Sequence, residues 1–202
     1  MSNYITTGDL KAAFDTGDMV VDEAVYSVVC EAASRQIDTH CGRRFYSDDA
    51  VSARWYFTED DDCVQVDDFS TTTGLVVAID NDGDGTTDVT LASTYYFACP
   101  INGVDSAGRT VPYNEIRTRY YTLPIDDDMP RIKVTAKWGW ATVPAEVKHA
   151  TLLQAVQLLK SLDAPFGVAD SNLFGAVRLQ SRIHPTAQAL LADYVRTPYG
   201  VA

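Results

Sequence analysis

The sequence predicts an α+β fold, a four-helix domain interrupted by an inserted antiparallel β domain built as a small sandwich or barrel. Three observations carry this. The apolar period is helical near both ends of the chain and gives way in the middle to short runs rich in Val, Thr and Tyr. Clusters of Gly, Asp, Asn and Pro separate those runs. The charge changes with the period: 17 acidic and 7 basic side chains lie between Ser47 and Thr142, a net of −10, and the remainder nets −2. The expected division is therefore a discontinuous helical domain, 1–46 with 143–202, and an acidic β domain, 47–142.

The first helix is expected at Thr7–Phe14, with Thr6 or Thr7 as its N-cap. A turn near Gly17 leads to a longer helix, about Asp22 to Cys41, whose apolar face is Val25, Val28, Val29 and Ala32 at i, i+3, i+4 and i+7, continued from Ala33 to Ile37 at i+4. Gly42 suits the position just past its end, and Arg43 and Arg44 complement the helix dipole. Strands are expected at Arg54–Thr58, Cys63–Val66, Leu75–Asp80, Thr86–Leu91, Tyr95–Cys99, Glu115–Thr118 and Arg131–Trp138. In the last, Ile132, Val134, Ala136 and Trp138 alternate with Lys133, Thr135 and Lys137, a half-buried strand with one wet face. Pro144 opens a helix to Asp163, and Leu152, Ala155 and Leu158 widen its apolar face enough to meet more than one neighbour. The pattern is lost from Ala164 to Ile183 and resumes as a short helix from Pro185 to Val195.

The chain has 202 residues and a net charge of −12. That charge repels phosphate backbones, so a protein gripping nucleic acid along its whole surface is not expected. No run of about 18 apolar residues predicts a membrane span. No basic flank with an apolar run follows Met1, so no signal peptide is expected. Cys30, Cys41, Cys63 and Cys99 form no CxxC, lack histidine neighbours at ligand spacing, and read as free thiols in a reducing compartment.

Chemistry-bearing motifs are few. Asp80-Asn81-Asp82-Gly83-Asp84-Gly85-Thr86-Thr87-Asp88 matches the start of a calcium-binding loop, but Leu91 occupies the position where a bidentate Glu closes such sites. With strand-like flanks, an acidic hairpin turn is the preferred reading. Glu59–Asp62 and Asp126–Asp128 read as solvated loop tips. His40, His149 and His184 have no GxSxG, HExxH or catalytic cysteine beside them, and no phosphate-cradling glycine loop is present. Enzymatic activity, a cofactor and a metal are therefore not expected. Trp138-Gly139-Trp140 could stack a sugar or a base, but its place at a domain junction favours packing.

Glu31-Ala32-Ala33-Ser34-Arg35-Gln36-Ile37-Asp38-Thr39-His40-Cys41-Gly42-Arg43-Arg44-Phe45 resembles the second-helix segment of tailed-bacteriophage head–tail connector proteins, also called adaptor or head-completion proteins. Tyr95-Tyr96-Phe97 with Pro100-Ile101-Asn102-Gly103, and Val134–Trp140 followed by Val143-Pro144, are similar to later segments of that family in the same order. Tyr4-Ile5-Thr6 with Asp9-Leu10 also fits. The resemblance covers most of residues 4–163, and the large acidic insert places the chain among the longer members.

The resemblance implies a structural virion protein, located at the capsid–tail junction after assembly in the host cytoplasm. It implies a ring of neighbouring copies, commonly twelve, under the portal protein. A stopper or tail-side connector protein would follow, with genomic DNA passing through the lumen without specific binding. An acidic collar would let DNA slide. The tail from Ala176 nets +2, and Arg178, Arg182, Tyr194 and Arg196 are its expected contacts with the portal or a neighbouring copy, made as it folds on assembly. Two alternatives stay open. The β domain could be a binding module for calcium or a glycan, or the chain could be another completion protein such as a stopper.

Overall fold

The computed structural model describes residues 2–13, 22–106, 108–126, 128–163, 168–169, 177–178 and 183–196. The chain divides into two compact units, Met1–Phe45 with Val143–Ala202, and Tyr46–Thr142.

The first unit is helical, with α1 (Thr7–Ala13), α2 (Glu23–Cys41), α3 (Ala145–Asp163) and α4 (Pro185–Leu190), then a 3₁₀ turn at Ala192–Tyr194. Local chemistry sets each end. Thr6 Oγ1 accepts the Asp9 N–H at 3.1 Å while Asp9 Oδ2 accepts the Thr6 N–H at 2.8 Å, a reciprocal cap on α1. Asp22 caps α2 by accepting the Ala24 N–H at 2.9 Å. At the other end Gly42 takes φ +62° and returns its N–H to the Asp38 carbonyl. Pro185 opens α4, where His184 Nδ1 accepts the Thr186 N–H at 3.2 Å.

α3 packs on α1, α2 and α4, the several neighbours its wide apolar face predicts. The core between α1, α2 and α3 holds Leu10, Tyr26, Val29, Cys30, Ala33, Ala155 and Leu159. The buried row on α2 is Tyr26, Val29/Cys30, Ala33 and Ile37, so Val29, Ala33 and Ile37 of the face read in the sequence are buried and the row turns slightly to one side of it. Tyr26 and Cys30 dilute its hydropathy, whereas Val28 stands out in the sequence yet is 65% exposed. In the stretch where the apolar pattern fails, Val168–Ala169 pairs antiparallel with Val177–Arg178. The rest of that stretch lies outside the described residues.

The second unit contains β1 (Ser52–Tyr56), β2 (Cys63–Phe69), β3 (Val76–Ile79), β4 (Val89–Thr90), β5 (Tyr96–Cys99), β6 (Tyr113–Thr118) and β7 (Ile132–Ala136). They form two antiparallel sheets, ordered β1-β7-β3-β4 and β2-β6-β5. The α+β class and the antiparallel character are those the sequence predicts. β4 is shorter than expected because Asp80–Asp88 is consumed by the turn that precedes it. On β7, Ile132, Val134 and Ala136 are fully buried and Lys133 and Thr135 are not, as the alternation requires. Beyond β7 the chain crosses to the other sheet, where Trp138 bridges Phe69. The core between the sheets includes Val64, Phe69, Val77, Ile79, Ile116, Leu123 and Trp138.

Candidate functional site

The second-helix segment singled out in the sequence is a structural knot in the helical unit. Ser34 Oγ accepts the Tyr4 N–H at 3.1 Å and donates to the Cys30 carbonyl at 2.7 Å. The Tyr4 hydroxyl donates to Asp38 Oδ1 and accepts the Phe45 N–H at 2.8 Å. Ile37, Cys41 and Phe45 are fully buried. The Phe45 ring meets Tyr4 and Tyr194 edge-on, each centroid 5.8 Å away. Burial pushes the Cys41 thiol up to about 12, and it raises the Asp38 carboxyl above its ordinary value against the opposing pull of Tyr4 and Arg35. Ser34, Ile37, Asp38, Cys41, Gly42 and Phe45 of the segment thus each have a packing or hydrogen-bonding task in closing α2.

Two of the expected interface residues belong to this knot. Tyr194 is buried and donates its hydroxyl to Glu146 Oε2 at 3.0 Å. The Arg196 N–H donates to the Cys41 carbonyl at 2.8 Å, which lays the chain's last described residues along the end of α2. Arg178 is placed by its backbone in the short pair with Val168–Ala169. Arg182 lies outside the described residues. The described part of the tail, His184 to Arg196, packs on the helical unit: the His184 N–H donates to Gln154 Oε1 at 2.8 Å, and Gln154 in turn donates to Gln36.

In the β unit the three acidic runs, read from sequence as separate loop tips, are gathered at one end. The segment after β6 joins them. Leu123 donates its N–H to the Asp61 carbonyl at 2.7 Å, and the Tyr121 hydroxyl donates to Asn81 Oδ1 at 3.3 Å. Arg131 bonds Asp126 Oδ2 at 2.6 Å and stands 4.0 Å from Asp80 Oδ1. The signal was topological: β1 and β3 both run antiparallel to β7, so their C-terminal turns and the loop into β7 share one end.

Asp80, Asp82 and Asp88 each bring one carboxylate oxygen within 4.8 Å of the others, and these are the residues that could hold a cation. Their oxygens already work as turn acceptors. Asp80 takes the Gly83 and Gly85 N–H groups at 2.6 and 2.9 Å, and Asp88 takes the Asn81 N–H at 2.7 Å. Burial acts to raise the Asp80 carboxyl, but those amides and Arg131 more than offset it, leaving it below its ordinary value. Leu91, in the closing position, is buried and donates its N–H to Val77. The arrangement is a hydrogen-bonded acidic hairpin.

Residues weighed for other chemistry are dispersed. His149 is exposed on α3, His184 caps α4, and His40 sits near the end of α2. Trp138 and Trp140 are both buried, their Nε1–H groups donating to the Ser52 carbonyl and to Asp68 Oδ2, so neither offers an open stacking face. All four cysteines are free thiols. Among the described residues no helix is long and apolar enough to cross a membrane.

No protein-family model and no curated protein matches the chain. Solved structures do. A chain from the neck of an empty GTA particle, computed with C6 symmetry, superposes with a TM-score of 0.56 at 16% identity, covering 98% of this chain and 93% of that one. A chain from the neck of the native particle, computed with C12 symmetry, gives 0.53 at 16%, covering 96% and 91%. A third, from the virion of the native gene transfer agent particle, gives 0.47 at 17%. This chain shares its fold, over nearly its full length, with chains of particle necks.

Proposed function

We propose that the chain is a head-to-tail connector, or adaptor, of a tailed-phage-like particle. In this reading it is a non-enzymatic virion protein, made in the host cytoplasm and assembled as a ring of about twelve copies under the portal protein. A stopper or tail-side connector protein follows it, and genomic DNA passes through the lumen. The observation that carries the reading is the whole-length likeness to neck chains, one of them in a particle neck computed with C12 symmetry. The segments that resemble connector proteins give it independent support, and two of them, Tyr4 with Glu31–Phe45, together build the knot that closes α2.

The helical unit, 1–46 with 143–202, is then the connector body and 47–142 the insert. Its −10 charge, crowded at one end of the unit, gives passing DNA no anchorage. Arg178, Arg182 and Arg196 would supply the cationic contacts to the portal, with Tyr194 holding the segment that carries Arg196. Electron microscopy of the chain mixed with portal-bearing heads tests this. A twelve-fold density of this chain against the portal is expected. Heads that bind none of it, or bind a single copy, would remove the proposal. Arg178→Glu with Arg182→Glu should abolish attachment while leaving the packed segment His184–Arg196 in place.

A further inference from the structure

The turn that follows β6 holds Tyr120 at φ +59° and leaves its side chain 97% exposed. The backbone around it is fixed. The Arg119 N–H donates to the Tyr95 carbonyl at 2.6 Å, and the Thr118 N–H donates to the Asp62 carbonyl at 2.7 Å. Thr118 Oγ1 closes the turn by donating to the Tyr121 carbonyl at 2.7 Å. Phe57, Tyr95, Ile125 and Met129 are exposed as well. Phe57 lies two residues before Glu59–Asp62, and Ile125 and Met129 flank Asp126–Asp128, so these side chains share the end of the β unit where the acidic runs meet. Single exposed apolar residues are ordinary, but several large ones on the loops of one end form a patch. We propose that this end of the β unit docks a basic protein segment that carries large apolar side chains.

Charge selects the occupant. Residues 57–62, 80–88 and 119–131 hold eleven carboxylates and two arginines, so they carry −9 of the −10 found in 47–142. Arg131 is engaged by Asp126 and stands beside Asp80. Glu59, Asp61, Asp62, Asp82, Asp84 and Asp128 are exposed. Carboxylates crowded in this way repel one another, and a cationic partner both relieves that repulsion and is steered in by the same field. Nucleic acid is driven off by it. A plain polycation would satisfy the carboxylates and leave Tyr120 and Ile125 in water. Burying them takes apolar side chains from the partner, which act as the anchors of the contact while the charges form its rim. Such docking requires neither a ring nor a portal, so it goes beyond the connector reading.

Fluorescence anisotropy with the full chain tests this at about 0.15 M salt, where the screening length is about 8 Å. Two labelled peptides serve as probes, one of six arginines interspersed with three leucines and one of six arginines with three serines. The leucine peptide is expected to bind about tenfold more tightly, the equivalent of one buried anchor. Tyr120→Asn with Ile125→Asn should erase that preference and leave the affinity for the serine peptide unchanged. Both side chains are exposed, so the tryptophan-fluorescence melt should stay that of wild type. Glu59→Lys with Asp61→Lys should weaken both peptides. A photo-reactive leucine in the first peptide should crosslink within residues 57–62, 80–88 or 119–131.

Failure of the leucine peptide to bind, equal affinity for the two peptides, or a preference that survives Tyr120→Asn with Ile125→Asn overturns the assignment. Crosslinks confined to the helical unit do the same, as does affinity indifferent to the lysine substitutions. Self-association of the wild-type chain in sedimentation velocity, abolished by the same asparagine pair, would make a second copy the occupant and also sink it. None of these results touches the connector reading, which stands or falls on the density at the portal.

Discussion

Replacing Gly139 with alanine places a methyl carbon 1.9 Å from the Tyr46 carbonyl oxygen and 2.8 Å from its carbonyl carbon. Both are backbone atoms, so neither can swing aside. The two segments are also pinned: Asp48 donates its N–H to the Trp138 carbonyl at 2.7 Å, and Gly139 donates to the Asp68 carbonyl at 2.5 Å. Relief requires parting the chains by more than 1 Å, which breaks at least one of these bonds at about 1 kcal/mol and loosens the packing of Trp138 and Trp140. The φ of +96° adds about 1–3 kcal/mol for any side chain. A total of about 4 kcal/mol follows, enough to lower the midpoint of a unit this size by about 15–30 °C.

Trp55, Trp138 and Trp140 all lie in Tyr46–Thr142, so tryptophan fluorescence during urea or thermal unfolding reports on that unit alone. Gly108→Ala is the control. Gly108 has φ +76° and nothing within 4 Å of an added Cβ, so it should lose only the backbone contribution. If Gly139→Ala lay within about 1 kcal/mol of wild type, or matched Gly108→Ala, the pinned-junction argument would be wrong.

Three further outcomes are expected. Tyr4→Phe removes one donor to Asp38 and one acceptor for the Phe45 N–H, and should cost about 1–3 kcal/mol in the far-ultraviolet dichroism melt of the helices. The Asp128 amide and Arg131 hold the Asp126 carboxyl below its ordinary 3.8, and Asp80 is also depressed. Their stabilisation is complete above that value and is lost as pH falls through the lower folded-state values, so Asp126→Asn should flatten the acid limb of the β unit's stability curve. Burial pushes Cys63 and Cys41 up to about 11 and 12. At pH 8 their thiolate fractions are then about 0.1% and 0.01%, so iodoacetamide followed by mass spectrometry should label half-buried Cys99 first and reach Cys41 only on unfolding.

Features determined by neighbours in sequence were legible in advance. Thr6, Asp22, Gly42 and Pro185 mark helix ends by chemistry that acts within four residues, and the Ile132–Trp138 alternation states its own buried face. The face that α2 buries was legible in part: Val29, Ala33 and Ile37 are buried as their spacing requires. Its edge depends on where α3 lies, and Tyr26 and Cys30 signal burial more weakly than exposed Val28. The convergence of the acidic runs depends on strand pairing across 50 residues or more, such as Ile79 with Ile132. The surroundings of Tyr194 were not legible either, because its partners, Phe45 and Glu146, are supplied by distant segments. The knot shows the converse. Its residues could be picked out by resemblance, but their task becomes clear only when Tyr4 arrives from 30 to 41 residues away.

The close approach of Tyr46 to Gly139 bears on how the chain reaches its fold. Before the β unit forms, α2 and α3 are the ends of a loop of about a hundred residues, and their pairing carries the entropy of closing it. Once Tyr46 and Gly139 are in backbone contact, the link shrinks to the five residues after Cys41 and the six before Ala145. A tenfold shorter loop lowers the closure cost by about 2 kcal/mol. The acidic unit therefore works as a clasp in folding: whichever unit orders first, the helical halves dock at lower cost after the clasp has shut. Changes at Gly139 should slow the assembly of helices that its own side of the chain does not contain.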